Sequence, residues 1–308
     1  ISDKLDADSI LNILENHESI ESAEYNQIFK VNQIDISNPN DEFFKEQWGI
    51  AAVNCKGAWK IASGKGILVG VIDTGIDYYH PDLVNQLWIN SKEDLNKNGT
   101  FEPWHFTEIR KGISGDFNGI DDDENGFTDD VIGYDFVDQQ NANIGDYLER
   151  DPIPYDEMGH GTLVSGVIAA QTNNKIGISG IAFNSKIVTL RAFDATGNAE
   201  TDDIASAILY AALNSIKVMN FSFGENVNSP LLYSAIKLAN SLGCVMIGSK
   251  GNNGWALPHF PSDYPEVIAV GSSTPSNYRD IRSNYGSNLS LLAPGSNIFT
   301  TDINSSYK

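Results

Sequence analysis

An aspartate and a histidine occupy positions where side chains can take part in acid and base chemistry. Asp73 follows a run of branched apolar residues over 67–72, which predicts a strand covered on both faces. The Thr-Gly pair after it predicts a turn at the carboxyl end of the strand, where open α/β sheets keep their reaction sites. His160 lies between two glycines before an apolar stretch over 163–170, and it is predicted to begin a helix.

An aspartate followed along the chain by a histidine makes the first two members of a nucleophilic triad in the order Asp, His, Ser. The histidine would be the base, because imidazole titrates near neutral pH and can carry the proton. The aspartate would hold the imidazole tautomer and stabilise the imidazolium. The alternatives are that Asp73 caps a turn or helix and that His160 is structural.

Two sequence motifs surround these residues. Ile-Asp-Thr-Gly-Ile-Asp contains Asp73 and is followed by His-Pro-Asp-Leu, and Gly-His-Gly-Thr contains His160 and precedes Val-Ile-Ala-Ala. Both motifs, in this order, resemble those of the subtilisin-like serine proteases, the subtilase family, and the resemblance extends from about Pro39 onward. It implies a serine endopeptidase with an Asp-His-Ser triad. It also implies an α/β, subtilisin-like three-layer fold with a parallel sheet and helices on both faces.

A third motif, Gly-Ser-Lys-Gly-Asn-Asn-Gly over 248–254, resembles the family's Ala-Ala-Gly-Asn-x-Gly. The resemblance makes Asn252 the donor to the oxyanion, with Gly251 beside it in the substrate-binding site. Lys250 departs from the family, which has a small residue there, and a cation at that place is expected to favour acidic substrate side chains. The alternative for Asn252 is an ordinary asparagine in a glycine turn.

Two further segments are similar to the substrate-binding edges of the family. Asn-Phe-Ser-Phe-Gly over 220–224 matches the extended edge that pairs with substrate backbone, and Gly-Asn-Ala over 197–199 would supply the facing edge. Main-chain hydrogen bonds would then hold the peptide while pockets sort its side chains. Without the neighbouring motifs, both segments would be interpreted as a core strand and a turn. The substrate-binding residues implied here are Gly197, Asn198, Ser222, Phe223 and Gly224.

The sequence does not contain the family's motif for the catalytic serine. Leu-Leu-Ala-Pro-Gly over 291–295 matches the stretch that leads to it, but Ser296, Ser305 and Ser306 lack its glycine and helical context. Because the other catalytic candidates are intact, we expect the nucleophile to lie beyond Lys308 in a longer protein. The alternative is a non-catalytic binding or inhibitory protein with the same fold. A third interpretation is a calcium-dependent adhesion module that acts through an acidic insertion.

The chain of 308 residues is strongly acidic, with a net charge of −21. This charge argues against nucleic acid or an anionic membrane as a partner, because both would be repelled. It favours calcium, a hard cation that binds clustered carboxylates, although a solubilising acidic surface accounts for part of the charge. Two cysteines far apart in the sequence do not indicate a disulfide framework, and no segment approaches transmembrane length.

Calcium has three candidate sites. The loop over 121–132 resembles an EF-hand loop but has Ile132 where an EF-hand has glutamate, and a loop over 94–102 repeats the pattern more weakly. The third site is implied only by the family resemblance. Turns that hydrogen-bond their own backbone are the alternative. The predicted ligands are Asp121, Asp123, Asn125, Phe127 and Asp130 in the first loop, Asp94, Asn96 and Asn98 in the second, and Asp41, Asp82, Asn174 and the carbonyls of Thr172, Ile176 and Ile178 in the third site.

The predicted domain organisation begins with a helix, capped by Asp8 or Ser9, and a strand over 28–31. Residues 1–38 are similar to the later half of a subtilase inhibitory propeptide; an extension packed on the catalytic domain is the alternative. Residues 39–308 would form an incomplete catalytic domain with a calcium-binding insertion over about 88–158, and alternating strands and helices from 160 onward predict a parallel sheet. The resemblance implies a secreted, monomeric zymogen that binds its own propeptide and acts on proteins or peptides.

Overall fold

The computed structural model describes residues 6–25, 38–138 and 150–308. The chain divides into two compact units, residues 1–33 and residues 34–308, and each is described by itself. The boundary lies near the predicted end of the propeptide segment. Whether residues 1–38 act as a propeptide stays a prediction.

The first unit contains helix α1, Ala7–Glu15. Its cap is Asp6, whose carboxylate accepts the backbone N–H of Ser9 at 2.8 Å, so the prediction of Asp8 or Ser9 as the cap was wrong. The physical reason is reach, since a capping oxygen binds the amide two or three residues ahead, at the first free N–H groups of the helix. The strand predicted over 28–31 lies outside the described residues.

A parallel sheet forms the centre of the second unit. The strands of the described residues are β1 (Leu68–Asp73), β2 (Ile109–Arg110), β3 (Ile113–Ser114), β4 (Gly133–Asp135), β5 (Lys186–Arg191), β6 (Val218–Phe221), β7 (Val245–Ser249), β8 (Val267–Ser273), β9 (Leu291–Pro294), β10 (Thr301–Asp302) and β11 (Ser306–Tyr307). Seven of them form one sheet in the order β4-β5-β1-β6-β7-β8-β9, and all neighbours in it are parallel. Strand β1 therefore lies inside the sheet, between β5 and β6.

Of the described helices of this unit, two precede β1 and three lie in the connections between strands. They are α2 (Trp48–Ala52), α3 (Cys55–Ala58), α4 (His160–Ala169), α5 (Thr201–Leu213) and α6 (Pro230–Ser241). Two short 3-10 segments, Phe44–Glu46 and Val84–Gln86, complete the set. The helices and strands predicted from 160 onward are present with small differences at their ends. Among the described helices, none is long and apolar enough to cross a membrane.

The side chains of β1 alternate between two cores. Val69 and Val71 pack in one core with Ala169 of α4, whereas Ile72 packs in the other with Ile208 of α5. This alternation follows from the two-residue period of a strand, and it places helices on both faces of the sheet. The predicted α/β three-layer fold is therefore confirmed.

The acidic insertion is mostly irregular. Of its strands, β2 and β3 form a small antiparallel pair, while β4 joins the edge of the main sheet. Val131 and Ile132 just before β4 are fully buried in the core beneath β1. The apolar residue at 132 is thus a core residue, which explains why this loop does not carry the glutamate of an EF-hand.

Candidate active site

Asp73 and His160 meet at the carboxyl end of β1. Asp73 is the last residue of this strand and His160 is the first residue of α4. The Nδ1 atom of His160 lies 2.6 Å from Oδ1 of Asp73, and the same oxygen accepts the backbone N–H of Thr74 at 2.8 Å. The carboxylate is buried, whereas 44% of the histidine side chain is exposed. A buried carboxylate thus orients an imidazole that solutes can reach.

The electrostatics of this pair suit a base. The hydrogen bond with Asp73 raises the pKa of His160 above its ordinary 6.5, and burial of the ring opposes part of this rise. With Nδ1 bonded to the carboxylate, Nε2 is the atom left to take up a proton. Within the described parts of the chain, no group forms a hydrogen bond with Nε2. The ring can therefore act as a general base toward a hydroxyl placed beside it.

Asp156 fixes the start of α4 and was not predicted. Its fully buried carboxylate accepts the N–H groups of Gly159 at 2.7 Å and Thr162 at 2.8 Å, which lie at the N-terminus of the helix. It also accepts the hydroxyls of Thr162 and, at 2.8 Å, of Thr74, the residue after Asp73. One carboxylate therefore ties the end of β1 to the start of α4, at the helix end where the dipole favours a negative charge.

The glycines of the two motifs allow the strand end and the helix to touch. A Cβ added to Gly161 would lie 2.1 Å from the carbonyl oxygen of Gly75, a distance that no real side chain occupies. In addition, the N–H of Gly161 donates to the Thr74 hydroxyl at 2.9 Å. The backbone contact brings Asp73 within hydrogen-bonding distance of His160.

The predicted substrate-binding residues border on this pair. One cavity is lined by Asp73 and His160 together with Gly197, Ser222, Phe223 and Gly224. Asn198 lines an adjoining cavity that shares Gly197, Phe223 and Gly224. Gly251 and Asn252 line a third, which shares Ser222. The structure thus brings all the predicted substrate-binding positions to one edge of the sheet.

Asn252 lies in the turn after β7, with an exposed side chain. The buried Asn284 holds this turn, because its N–H donates to the carbonyl of Gly251 at 2.9 Å and its side-chain oxygen accepts the N–H groups of Asn253 and Trp255 at 3.0 Å. Among the described residues, none forms a hydrogen bond with the Asn252 side chain. Its amide is therefore available to a ligand.

Lys250 does not present its charge to substrate. Its side chain is 2% exposed and forms an ion pair with Asp263, whose side chain is 8% exposed. The expected preference for acidic substrate side chains loses its basis, because the cation is already neutralised. Next to this pair lies the buried His259, whose pKa is lowered by burial and by the charge of Lys250. His259 fills the space between two predicted substrate-binding glycines, since added Cβ atoms would lie 2.2 Å from its ring at Gly224 and 2.7 Å at Gly251.

The three serines near the end of the chain have other partners. The Ser296 hydroxyl is buried and donates to Asp280, and the Ser306 hydroxyl donates to the carbonyl of Ile303 at 2.8 Å. The backbone N–H of Ser305 donates to Asp77 at 3.3 Å. These contacts agree with the absence of the family's serine motif around them.

The calcium ligands implied by the family resemblance come together. Asn174 donates its backbone N–H to Asp41 at 3.1 Å and its side-chain amide to Asp82 at 2.5 Å, and Ile178 donates its N–H to Asp82 at 2.9 Å. Both carboxylates are buried, and burial raises the pKa of each. Within the described ranges, the carbonyls of Thr172, Ile176 and Ile178 accept no hydrogen bond. Buried carboxylates beside free carbonyl oxygens suit a hard cation such as calcium, so the residues present fit the ion.

The predicted ligands of the loop over 121–132 also lie close together. Asp121 and Asp123 both accept the N–H of Asn125 at 3.1 Å, and the Asn125 amide donates to the buried Asp130 at 2.9 Å. Asp130 also accepts the hydroxyl of Tyr210, and burial raises its pKa to about 6. Sequence reasoning missed one member of this group, Glu93, because it lies far from the loop in the sequence.

The weaker loop gathers around carboxylates that the sequence did not single out. The Asn96 amide donates to Asp116 at 2.8 Å, and the Asn98 amide donates to Glu102 at 3.0 Å. Asp94 accepts the N–H of the turn glycine at 2.9 Å, and its other oxygen is buried without a partner. Burial, with the charges of Glu102 and Asp94, raises the pKa of Asp116 to about 7. This donor set also suits a cation.

Comparison with known proteins places the chain among peptidases. A sequence model of the subtilase family matches residues 64–308. A thermophilic serine proteinase from Bacillus sp. (strain AK1) is 31% identical over 296 residues, which are 96% of this chain and 59% of that protein. Thermitase from Thermoactinomyces vulgaris is 30% identical over 270 residues, 87% of this chain and 77% of that protein.

A solved structure shows the same fold. A protease from Pseudoalteromonas arctica PAMC 21717 superposes with a TM-score of 0.66 at 28% sequence identity, over 84% of this chain and 73% of that chain. The chain spans 59% of the length of the Bacillus proteinase that it matches. The family match covers the Asp73 strand, the His160 helix and the Asn252 turn. On this basis the chain belongs to the subtilase family.

Proposed function

We propose that this chain forms most of the catalytic domain of a serine endopeptidase. Asp73, His160 and Asn252 would act with a serine that lies beyond Lys308 in the whole protein. The observation that carries the proposal is the 2.6 Å contact between the His160 ring and the buried Asp73 carboxylate, at the edge of the sheet that also holds the predicted substrate-binding residues. Family membership and the serine proteinases among the relatives support the same chemistry.

The proposed mechanism gives each of these groups a defined role. The serine oxygen attacks the carbonyl carbon of a peptide bond while its proton passes to Nε2 of His160, and Asp73 stabilises the resulting imidazolium. The Asn252 amide donates a hydrogen bond to the oxyanion; loss of one such donor costs about 10²–10³ in kcat in subtilisin itself. His160 then gives its proton to the leaving amine, and water hydrolyses the acyl-enzyme in a second cycle of the same steps.

The substrates proposed are proteins or peptides bound in extended form. The segment after β6, Ser222 to Gly224, and the turn at Gly197 and Asn198 line adjoining cavities beside His160. Two such edges can hold a peptide backbone on both sides, with His259 closing the pocket between the glycines. We further propose that the protein is secreted and monomeric, that it binds neither nucleic acid nor membranes, and that residues 1–38 belong to an inhibitory propeptide.

Calcium is proposed as a structural ion. The set around Asp41 and Asp82, the loop containing Asp121, Asp123 and Asn125, and the loop beginning at Asp94 would hold it with carboxylate and carbonyl oxygens. A calcium ion supplies positive charge that offsets the repulsion between buried carboxylates. None of these three groups lines the cavity beside His160, so calcium would stabilise the fold and leave the acyl transfer to the side chains.

A serine-directed fluorophosphonate label on the full-length native protein tests the proposal. We expect one labelled serine C-terminal to residue 308, and no labelling in His160→Ala because the nucleophile then has no base. His105→Ala, which removes an exposed histidine, should label as the wild type does. Absence of labelling in the wild type would instead support a non-catalytic binding or inhibitory protein. A native protein found by mass spectrometry to end at Lys308 would have the same consequence.

A further inference from the structure

The loop that contains Asp121 lacks one of the ligands that an EF-hand loop provides. An EF-hand ends its loop with a bidentate glutamate, but the corresponding residue here is Ile132, which is buried in the core. Asp130 is not among the carboxylates that lie close enough to share an ion with Asp121 and Asp123, and its oxygens accept hydrogen bonds from Tyr210, Asn125 and Asn90. A carboxylate from elsewhere in the fold would have to supply the missing oxygens.

Glu93 provides such a carboxylate. Its side chain is fully buried, and one of its oxygens accepts the backbone N–H of Asp123 at 3.0 Å. Its other oxygen, Oε2, is buried and has no hydrogen-bond partner. One carboxylate oxygen from each of Glu93, Asp121 and Asp123 lies within 4.8 Å of the other two. Because calcium binds oxygens at about 2.3–2.6 Å, oxygens spaced up to about twice that distance can share one ion.

A second observation concerns the carbonyl in the same loop. Among the described residues, none donates a hydrogen bond to the carbonyl of Phe127, the residue whose carbonyl would be the seventh-position ligand. Buried polar groups in proteins are nearly always hydrogen-bonded, so an unpartnered carboxylate oxygen calls for an explanation. A cation between Glu93, Asp121 and Asp123 supplies one.

A second acidic cluster differs from this one because an arginine neutralises it. One carboxylate oxygen from each of Asp138, Asp202 and Asp203 also lies within 4.8 Å of the other two, but the Arg150 guanidinium lies 2.9 to 3.7 Å from all three side chains. In the parts of the chain that the structure describes, no lysine or arginine forms an ion pair with Glu93. A buried charge without a partner is costly. Arg150 supplies a positive charge to the second cluster, whereas the Glu93 carboxylate still requires one.

We infer that Glu93 is the remote carboxylate ligand of a calcium ion held by Asp121, Asp123 and the Phe127 carbonyl. It takes the place of the glutamate that an EF-hand carries within its own loop. This inference deepens the calcium role proposed above and rests on it. It also makes the site bridge two segments, because Glu93 lies in a turn near the start of the insertion and the other ligands lie in the loop over 121–132.

Calcium binding to the purified full chain, followed by isothermal titration calorimetry after removal of metals with EDTA, tests the inference. Glu93→Gln should lose one high-affinity site or weaken it about tenfold or more, because even ligand-supporting residues change metal affinity about 10- to 100-fold. Glu124→Gln is the matched control: it removes the same charge from an exposed side chain of the same loop and should bind like the wild type.

Asp121→Asn separates the inference from the proposal beneath it. If Asp121→Asn weakens one site and Glu93→Gln does not, the loop binds calcium without Glu93 and the inference is wrong. If neither variant changes binding, the proposed loop site itself is wrong. Weakening of the same site by both variants supports the inference.

Thermal unfolding distinguishes a ligand from a packing residue. In EDTA, Glu93→Gln should be as stable as the wild type or more stable, because the amide keeps the acceptor for Asp123 and removes an unpaired buried charge. In millimolar calcium the order should reverse. A loss of stability of equal size in both buffers would show that Glu93 acts only through packing, and the inference would fail.

Discussion

His160 and His259 are both close to the predicted substrate-binding residues, but their surroundings shift their pKa values in opposite directions. The hydrogen bond with Asp73 raises the pKa of His160, while burial and the charge of Lys250 lower that of His259. A protonated His160 cannot accept the proton of a nucleophile. Activity should therefore fall as the pH drops through the folded-state pKa of His160, which lies above 6.5.

Proton NMR titration of the two imidazoles checks this assignment on the chain itself. We expect a midpoint above 6.5 for His160 and below 6.5 for His259. Asp73→Asn should lower the His160 midpoint, because the charged acceptor at Nδ1 is lost, and should leave His259 unchanged as an internal control. A His160 midpoint that does not respond to Asp73→Asn would contradict the orienting role of this carboxylate. In the full-length enzyme the same substitution should reduce kcat by about 10⁴.

Residues that act through a local motif could be predicted from the sequence, and residues that act through the fold could not. Asp73, His160 and Asn252 each lie in a short sequence motif whose residue types predict the local backbone geometry. Asp156 and Glu93 carry no such signal, because the contacts that reveal their roles, with Thr74 and with Asp123, join segments distant in the sequence. The suggestion for Lys250 was wrong for the same reason, since Asp263, which neutralises it, lies in another loop.

At the scale of elements, the junction between β1 and α4 depends on Asp156. Asp156→Asn keeps the shape of this side chain but turns an acceptor into a donor facing N–H and O–H groups. We expect a loss of about 1–3 kcal/mol in the free energy of unfolding, measured by urea denaturation. Asp122→Asn, at an exposed position, should change it by less than about 0.5 kcal/mol.

The same variant has a kinetic consequence in the full-length enzyme. Because Asp156 holds the start of α4 and does not line the cavity beside His160, its loss should lower kcat more than it raises KM. The acid limb of the pH profile should also shift, since the ring would be less well held against Asp73. A drop in stability with kcat and the pH profile unchanged would show that Asp156 stabilises the fold without positioning His160.

The ring of His259 lies between the segment after β6 and the turn after β7, and it should control which substrate side chains are accepted. In Gly224→Ala the new Cβ would lie 2.2 Å from the His259 ring and 2.7 Å from the backbone oxygen of Phe260. The His259 ring must therefore shift into the pocket or tilt. We expect kcat/KM for peptides with large side chains to fall about 10- to 200-fold relative to peptides with small ones. Equal losses of kcat/KM for both peptide classes would contradict a role of His259 in side-chain selection.

Most elements of the sheet could be predicted, because buried parallel strands have continuous apolar runs and the helices between them have their own caps and periodicity. The insertion could be recognised only as acidic and irregular. Its course depends on core contacts such as those of Val131 and Ile132 and on carboxylates paired across loops, which no local pattern specifies.

At the scale of the whole molecule, the net charge is −21, and several of the acidic side chains that contribute to it are buried. Burial raises the pKa of Asp41 and Asp82, and it is the main cause of values of about 7 for Glu93 and Asp116 and about 6 for Asp130. Each folded-state pKa lies above the unfolded value. The native state then binds more protons than the unfolded state between those two values, so the stability of the metal-free protein falls as the pH rises through this interval.

Differential scanning calorimetry at several pH values checks this sign. In EDTA, the unfolding temperature should rise when the pH is lowered from 7.5 to about 5.5, opposite to proteins stabilised by ionised carboxylates. With calcium present the trend should flatten or reverse, because calcium binds the deprotonated form. High sodium chloride serves as a control for general charge repulsion, which it screens. A rise in stability with pH in EDTA would contradict the assignment.

The position of β1 inside the sheet has a consequence for how the protein is made. Both of its neighbours come later in the chain, since β5 begins at Lys186 and β6 at Val218. At about 5–20 residues per second, a ribosome takes on the order of ten seconds to reach the first of them. During that time a strongly apolar strand has two open edges, the condition that favours pairing with other nascent chains. Synthesis of this protein should therefore depend on chaperones that shield the emerging strand until its partners have been translated.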